Sequence, residues 1–299
     1  MSEVQQAVTR LLTPTSPTVQ PGEASADLLY RATVRERRTA VDPETAEHIR
    51  ACLAEAVASE RPIEFANSFG GYKAWFQPCA PHVNWAEVMW LSYLRTFATR
   101  LASLHAPGVV ICLNYYSHVI DQINGIPLSD QQVYLRELSE LTRGFSCSQV
   151  RFELVDLAAE HGGPEEFLRD LRNALADYAQ PIPARALDSA RRNVRDPATV
   201  YASARLCTVM ESLPQRRVYN KESHRIQIVH IGGSRRALHL GTSRASIHQP
   251  WVGEGFLRRT QTGELVEDIA RQPPQPFERV AVQSWACEIS PWLRTVAVL

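Results

Sequence analysis

The sequence has no G-x-G-x-x-G after a strand, no Walker A loop, no G-x-S-x-G elbow and no H-E-x-x-H. Nicotinamide, flavin and P-loop nucleotide sites are therefore unsupported, as are the α/β-hydrolase nucleophile and the usual zinc helix. Charge of either sign is not in surplus: Lys+Arg and Asp+Glu number 32 each. A nucleic-acid binder usually carries a basic excess, so no nucleic-acid partner is expected beyond what a local patch could hold. The six cysteines, Cys52, Cys79, Cys112, Cys147, Cys207 and Cys287, form no C-x-x-C and lie far apart. Six reduced thiols packed as small hydrophobes are expected. No apolar run reaches membrane-spanning length. Met1-Ser-Glu-Val-Gln-Gln6 is not a charged start followed by an apolar stretch. A cytoplasmic location with no membrane partner is the expectation.

What is present fits one large α/β domain. The chain has 299 residues, 44% hydrophobic and 21% charged, ordinary values for a globular protein. Residues 1–25 read as a flexible tail, because Thr13-Pro-Thr-Ser-Pro-Thr-Val-Gln-Pro-Gly22 is turn-rich. An arm that docks on ordering would look similar. Asp42-Pro43 predicts a helix start, and apolar spacing carries that helix over 43–59. Residues 61–81 read as irregular, with Gly70-Gly71 and three prolines. Asn84 and Glu87 form a capping-box pattern opening a helix over 84–104. Val109 to Leu113 suits an interior parallel strand. Ser129 starts another helix, 150–155 reads as a second strand and 164–178 as a further helix. Strand, helix, strand in that order predicts a right-handed parallel crossover. Residues 186–213 look helical and Arg-rich. Arg225–Ile231 and Ala237–Leu240 read as an antiparallel pair. The domain division is a tail at 1–25 and a catalytic domain at 26–299, β-rich from about 218.

The densest set of chemistry-bearing residues lies between Pro62 and Leu141. Lys73, in an ordered aromatic loop, could bind an anion or act as a base or Schiff-base former; it could equally lay its stem on Trp75 in solvent. Glu87 reads as a helix-start residue or as a carboxylate at the mouth of the sheet. His118 and Asp121 follow the 109–113 strand, where a parallel sheet keeps its ligand crevice and a His can move protons. A turn His with a capping Asp is the competing reading. His118-x-x-Asp121 has no evident third metal ligand. Arg225 opens an alternating strand and could hold a carboxylate or phosphate bidentately, or lie in solvent. Tyr72, Trp75, Tyr115, Tyr116 and Trp251 suit a flat or apolar ligand group, or core packing.

Three stretches resemble one known family, the isonitrile (isocyanide) synthases of the pyoverdine/dityrosine biosynthesis group, the PvcA-like enzymes. The family's Pro-Phe-Lys-type loop and Pro-Asp-x-Ala-Glu helix start are similar to Tyr72-Lys73 and Pro81-His-Val-Asn-Trp-Ala-Glu87. Its Tyr-x-Pro-Gly-Ala, strand, Ser-Asp-Gly-x-Val-Phe-x-Asp run is similar to Leu104-His-Ala-Pro-Gly108, Val109–Leu113 and Asn114-Tyr-Tyr-Ser-His-Val-Ile-Asp121. Its Arg-Leu-Ser-Ile-His strand and Thr-Pro-Trp-His turn are similar to Arg225-Ile-Gln-Ile-Val-His230 and Gln249-Pro-Trp-Val252. The resemblance spans about 45–255.

It implies a Rossmann-like, mostly parallel central sheet flanked by helices, with a C-terminal antiparallel β addition. It implies an enzyme of specialised metabolism that joins the amino group of an α-amino acid to ribulose 5-phosphate and makes an isonitrile of that nitrogen, with no metal or redox cofactor. Lys73, Glu87, His118 and Asp121 would be the catalytic groups. Tyr72, Trp75, Asn114, Tyr116, Arg225, His230 and Trp251 would bind substrate. The implied partners are the amino acid, the pentose phosphate and a downstream Fe(II)/2-oxoglutarate oxygenase; a homodimer is the base-rate expectation. The chain departs from the family at Asn114-Tyr115-Tyr116, where Ser-Asp-Gly stands in the family, at Gln227 for Ser, at Val252 for His, and around Gly70-Gly71 and Trp75. These changes leave open a same-fold enzyme that transforms an amino acid without ribulose 5-phosphate. A non-enzymatic ligand- or partner-binding protein is the third reading.

Overall fold

The computed structural model describes residues 2–13, 25–35, 37, 40–116, 119–213, 224–229, 237–240 and 250–299. The chain opens with α1 (Glu3–Leu12), α2 (Ala26–Arg35) and α3 (Pro43–Ala58), then β1 (Ile63–Ser68), α4 (Trp85–Ala102), β2 (Val109–Tyr115), α5 (Ile120–Asn124), α6 (Leu128–Phe145) and β3 (Val150–Asp156). Four helices follow, α7 (Leu157–Glu160), α8 (Pro164–Asp177), α9 (Ala184–Asn193) and α10 (Val200–Ser212). The strands β4 (Ile226–Val229), β5 (Leu238–His239), β6 (Glu254–Arg259), β7 (Leu265–Ala270), β8 (Glu278–Ala281) and β9 (Thr295–Val298) follow, with short 3-10 turns at Pro197–Thr199, Pro250–Val252, Trp285–Glu288 and Pro291–Leu293.

The main sheet has the order β3-β2-β1-β4-β5, with every neighbouring pair parallel. The order turns around at β1, so the switch point of this sheet lies between β1 and β4, where open α/β sheets place ligands beyond the carboxyl ends of their strands. One face of the sheet is an apolar row: Ile63 and Phe65 of β1, Val109, Ile111 and Leu113 of β2, Val150 and Phe152 of β3, Ile226 and Ile228 of β4, and Leu238 of β5. Helices α3, α4 and α6 pack on this side. Phe65 meets Phe97 of α4 edge-on, centroids 5.1 Å apart.

Helix α4 also packs against the second sheet, order β7-β6-β9-β8, so it is buried between two sheets. That accounts for its apolar residues on nearly all sides. A side chain on Gly255 would put its Cβ 2.4 Å from the Ala86 backbone nitrogen, so glycine is what lets β6 approach the start of α4. The second sheet is mixed: β6 with β7 and β8 with β9 are antiparallel, while β6 and β9 run parallel.

Three expectations are corrected. Residues 61–81 are not all irregular, because β1 is the central strand of the main sheet. Pro62, Gly70 and Gly71 flank only six strand residues, three of them polar, and hide the signal. The strands near 225–231 and 237–240 are parallel, not an antiparallel pair. Ile226 aligns with Phe65 and Ile228 with Leu238, which puts all four in the same buried row. The tail reading fails for residues 3–12: α1 is capped by Ser2 and buries Val4, Ala7, Val8, Leu11 and Leu12. Packing on α4 and β7 supplies the tertiary contacts that a short helix needs.

No described helix is long and apolar enough to cross a membrane.

Candidate active site

The loop after β1 returns to the start of α4, and Lys73 is its anchor. The Lys73 ammonium donates to both Glu87 carboxylate oxygens, at 2.8 and 3.0 Å, and to the carbonyls of Pro250 (2.8 Å) and Gly253 (2.9 Å). Both side chains are fully buried. Glu87 also accepts from the Asn84 backbone N–H at 2.9 Å and from the Tyr134 hydroxyl at 3.0 Å. Asn84 completes the capping box and donates to Gly253 O at 3.1 Å. Burial pushes the Glu87 carboxyl up against the opposing pull of Lys73, and burial beside Glu87 raises the Tyr134 hydroxyl well above its usual range.

The structure therefore brings two expected catalytic residues together as a buried pair, with Glu87 also in the helix-start role that its capping-box position predicts. Lys73 has all of its donors engaged and is fully buried, which overturns the alternative reading of a stem laid on Trp75 in solvent. The pair ties the 73–77 loop to the 250–253 turn, joined also by Gln77 Nε2 to Val252 O at 2.7 Å and Ala74 N–H to Trp251 O at 2.8 Å. Tyr134 belongs to this network and was missed by sequence reasoning, as was the reach of Asn84 beyond its capping role. The Asn84/Glu87 capping pattern was the available signal.

The other expected residues are spread out. Tyr72 is buried and its hydroxyl is raised by burial. Trp251 packs against Phe69, centroids 6.2 Å apart. Trp75 is exposed and donates from Nε1 to Asn193 O at 3.1 Å, touching the α9 end. Tyr116 stacks on Phe167 of α8, centroids 5.2 Å apart. Asp121 is exposed in the first turn of α5. His118 and His230 lie outside the described residues.

Arg225 is not placed to greet a ligand at the carboxyl ends. It precedes β4, level with Glu64 in the amino-terminal half of the sheet, and its Nε donates to Glu64 Oε2 at 2.9 Å. Its other arm lies 3.7 Å from Glu160 Oε1, so α7 passes over this face. His224 is also 3.0 Å from Glu64 Oε2. Burial pulls the Glu64 carboxyl up, but the hydrogen bond and charge of Arg225, with His224, bring it below its ordinary value.

These contacts mark a second face of the sheet that is polar. Interior parallel strands are usually apolar on both sides. Here Glu64, Ala66 and Ser68 of β1 align with Val110, Cys112 and Asn114 of β2, and Gln227 of β4 stands opposite Ala66. Asn114 and Cys112 are fully buried, Gln227 is half-buried and Ser68 exposed. Burial pushes the Cys112 thiol up to about 12. Tyr115 follows at the carboxyl end; burial first, then Asp156, raises its hydroxyl, so it remains a hydrogen-bond donor at neutral pH. The strands alternate so that Asn114 and Gln227, two of the family departures, share this face. Ser68 was missed, and only recognition of β1 would have found it.

Over the carboxyl ends, α5, α8 and α10 bury Val119, Ile123, Phe167, Leu171, Leu206 and Val209 in a small core of their own. Among the described residues, no three His, Cys, Asp or Glu side chains are grouped to hold a metal.

No family model and no curated protein matches the sequence. Among solved structures, the PvcA protein from Pseudomonas aeruginosa superposes with a TM-score of 0.60 at 14% identity, covering 91% of this chain and 99% of that one. A tyrosyl-tRNA synthetase from Aeropyrum pernix reaches a TM-score of only 0.37 at 16% identity, over 71% of this chain and 54% of that one, which carries no argument. Over nearly its full length, the chain has the PvcA fold in a diverged sequence.

Proposed function

We propose that this chain is an isonitrile synthase-like enzyme of specialised metabolism. Its substrates in this reading are an α-amino acid and ribulose 5-phosphate. The amine condenses with the sugar ketone and loses water to give an imine; breaking both C–C bonds of the former ketone carbon leaves that carbon on the nitrogen as the isonitrile, and the other four carbons and the phosphate depart. The observation that carries the reading is the shared PvcA fold, taken with the ordered motif resemblance across about 45–255. The polar face beside the switch point, with Tyr115 and Tyr116 at and just past the carboxyl end of β2, supplies hydrogen-bonding groups of the kind that imine chemistry requires. Asp121 and His118 remain the proposed proton-transfer groups. Lys73 and Glu87 take part by holding the loop that carries Tyr72.

A second reading is a same-fold enzyme that transforms an amino acid without ribulose 5-phosphate. The engagement of Lys73 by Glu87 and two carbonyls favours it, since no free cation stands in the loop where the first reading wants one for an anionic group.

The test is an amino-acid panel incubated with and without carbon-labelled ribulose 5-phosphate, read by mass spectrometry. Label on the nitrogen of one amino acid establishes the reaction and its substrate. Consumption of an amino acid that ignores the sugar overturns the first reading in favour of the second.

A further inference from the structure

We infer that residues 192–195 form a releasable strap that closes the loops after β1 and β2 over the carboxyl-end crevice, with Trp75 and Arg271 as its latch.

The strap joins segments that follow neighbouring strands. Trp75, in the loop after β1, donates from Nε1 to Asn193 O at 3.1 Å. Arg195, two residues further on, donates its backbone N–H to Asn124 O at 3.3 Å. Asn124 ends α5, the helix that follows β2. Two residues of chain span at most about 7 Å, and β1 and β2 are hydrogen-bonded neighbours. The strap therefore bridges the gap beyond the carboxyl ends of these two strands.

A second latch bond comes from the other sheet. Arg271, just past β7, donates from Nη2 to Arg192 O at 2.9 Å. The carbonyls of Arg192 and Asn193 end α9, where a helix leaves its carbonyls without helical partners and favours a cation. The two latch residues act as one unit. The Arg271 guanidinium stacks on the Phe76 ring, 3.9 Å from its centroid, and Phe76 meets Trp75 edge-on at 5.5 Å. Gln77 Nε2 donates to Arg271 O at 2.8 Å. The latch thus stands on the loop that Lys73 and Glu87 lock in place.

The strap's own anchorage is slight. Helix α9 buries one residue, Ala190. Ala190 packs with Val194 and Ala204 in a cluster apart from the main core. Arg191, Arg192 and Arg195 are exposed. Trp75 is 42% exposed and Arg271 is exposed too, so water competes for both latch bonds and each holds weakly. Segments with few buried contacts and solvent-exposed hydrogen bonds are the ones that open locally. A locked frame, a two-bond latch and a lightly packed strap make a gate, whatever reaction the crevice hosts.

The experiment is limited trypsin digestion of the full chain, with peptides quantified by mass spectrometry, run beside amide hydrogen exchange. It compares wild type, Trp75→Phe, Arg271→Met and the double variant. Phenylalanine keeps a ring and removes the N–H; methionine keeps the stem and removes the guanidinium. Trypsin cuts after Arg191, Arg192 and Arg195, and its rate follows the open population when the strap recloses faster than it is cut. Each single variant should speed strap cleavage about fivefold, the effect of one lost hydrogen bond, and the double variant roughly twenty-five-fold. Cleavage after Arg136 and Arg143, exposed on α6, should stay at the wild-type rate. Exchange at 69–72 and 113–116, beneath the strap, should rise in step, while the β7-β6-β9-β8 sheet keeps its protection. Unchanged strap cleavage in the double variant would overturn the latch. Equal acceleration on α6 would assign Trp75 and Arg271 to global stability and overturn it as well. Faster strap cleavage with unchanged exchange at 69–72 and 113–116 would show that the strap covers nothing, which overturns the gate. Should the double variant not fold, the two single variants carry the same comparison with the same outcomes.

Discussion

Lys73 Nζ stands 2.8 Å from Glu87 Oε1, and neither side chain touches solvent. The contact joins a loop and a helix start 14 residues apart in sequence. A second pair of contacts, to Pro250 O and Gly253 O, reaches 177 and 180 residues along the chain. One ammonium thus locks three segments beside the carboxyl ends of the sheet.

Removing one member of a buried pair leaves the other charged and unpaired. Lys73→Met is expected to destabilise the protein by about 3–5 kcal/mol in chemical denaturation. The double change Lys73→Met with Glu87→Leu should cost clearly less than the sum of the single changes, because no lone charge remains. Strict additivity would show that the pair is not coupled.

The Glu64–Arg225 contact predicts an acid limb to stability. The folded-state value of Glu64 lies below its ordinary one. A depressed carboxylate contributes stability that is fully present above its unfolded value and is lost as pH falls through the folded value. Stability followed by thermal unfolding should therefore drop on acidification below the ordinary carboxylate range. Glu64→Gln should flatten that drop while lowering stability at neutral pH. An unaltered acid limb in the variant would assign it to other carboxylates.

Gly71 has φ +73°, and a Cβ there would lie 3.0 Å from the Tyr115 Cβ. Gly71→Ala combines a left-handed backbone with a crowded neighbour, and is expected to cost about 1–2 kcal/mol from the backbone alone. Because Tyr115 ends β2, a shift in its ring should also weaken ligand binding, read by calorimetry. A fully stable variant would mean that the loop relaxes freely.

Docking of the amino-terminal helix is measured by Leu11→Ala. Leu11 is buried against the body of the protein, and truncating a buried leucine costs about 2–5 kcal/mol. A change within noise on urea denaturation would indicate that α1 leaves its site in solution.

Local patterns were legible wherever they are set by neighbours in the chain. Asp42 and Pro43 start α3, Asn84 and Glu87 start α4, and the Val109–Leu113 run is β2. The α/β class and the parallel crossover followed from the order of such segments. β1 was not legible, because its pattern makes sense only once β2 and β4 flank it. The helical α1 was not legible either, since its apolar stripe has meaning only against α4 and β7.

For the site, the sequence by itself determined which residue types are available: a lysine, a glutamate, amides and tyrosines in a fixed order along the chain. Tertiary structure alone decided which of them meet. Lys73 became a buried clamp because Glu87 and the carbonyls of the 250–253 turn converge on it, and desolvated charge persists only when every donor is met. Arg225 was spent on Glu64 because parallel register sets the two side by side. Asn114 and Gln227, remote in sequence and separated by one strand, came to share a face because side chains in a sheet alternate and β1 lies between their strands. Sequence periodicity holds no information about which strands are neighbours, so that last relationship belongs to the fold.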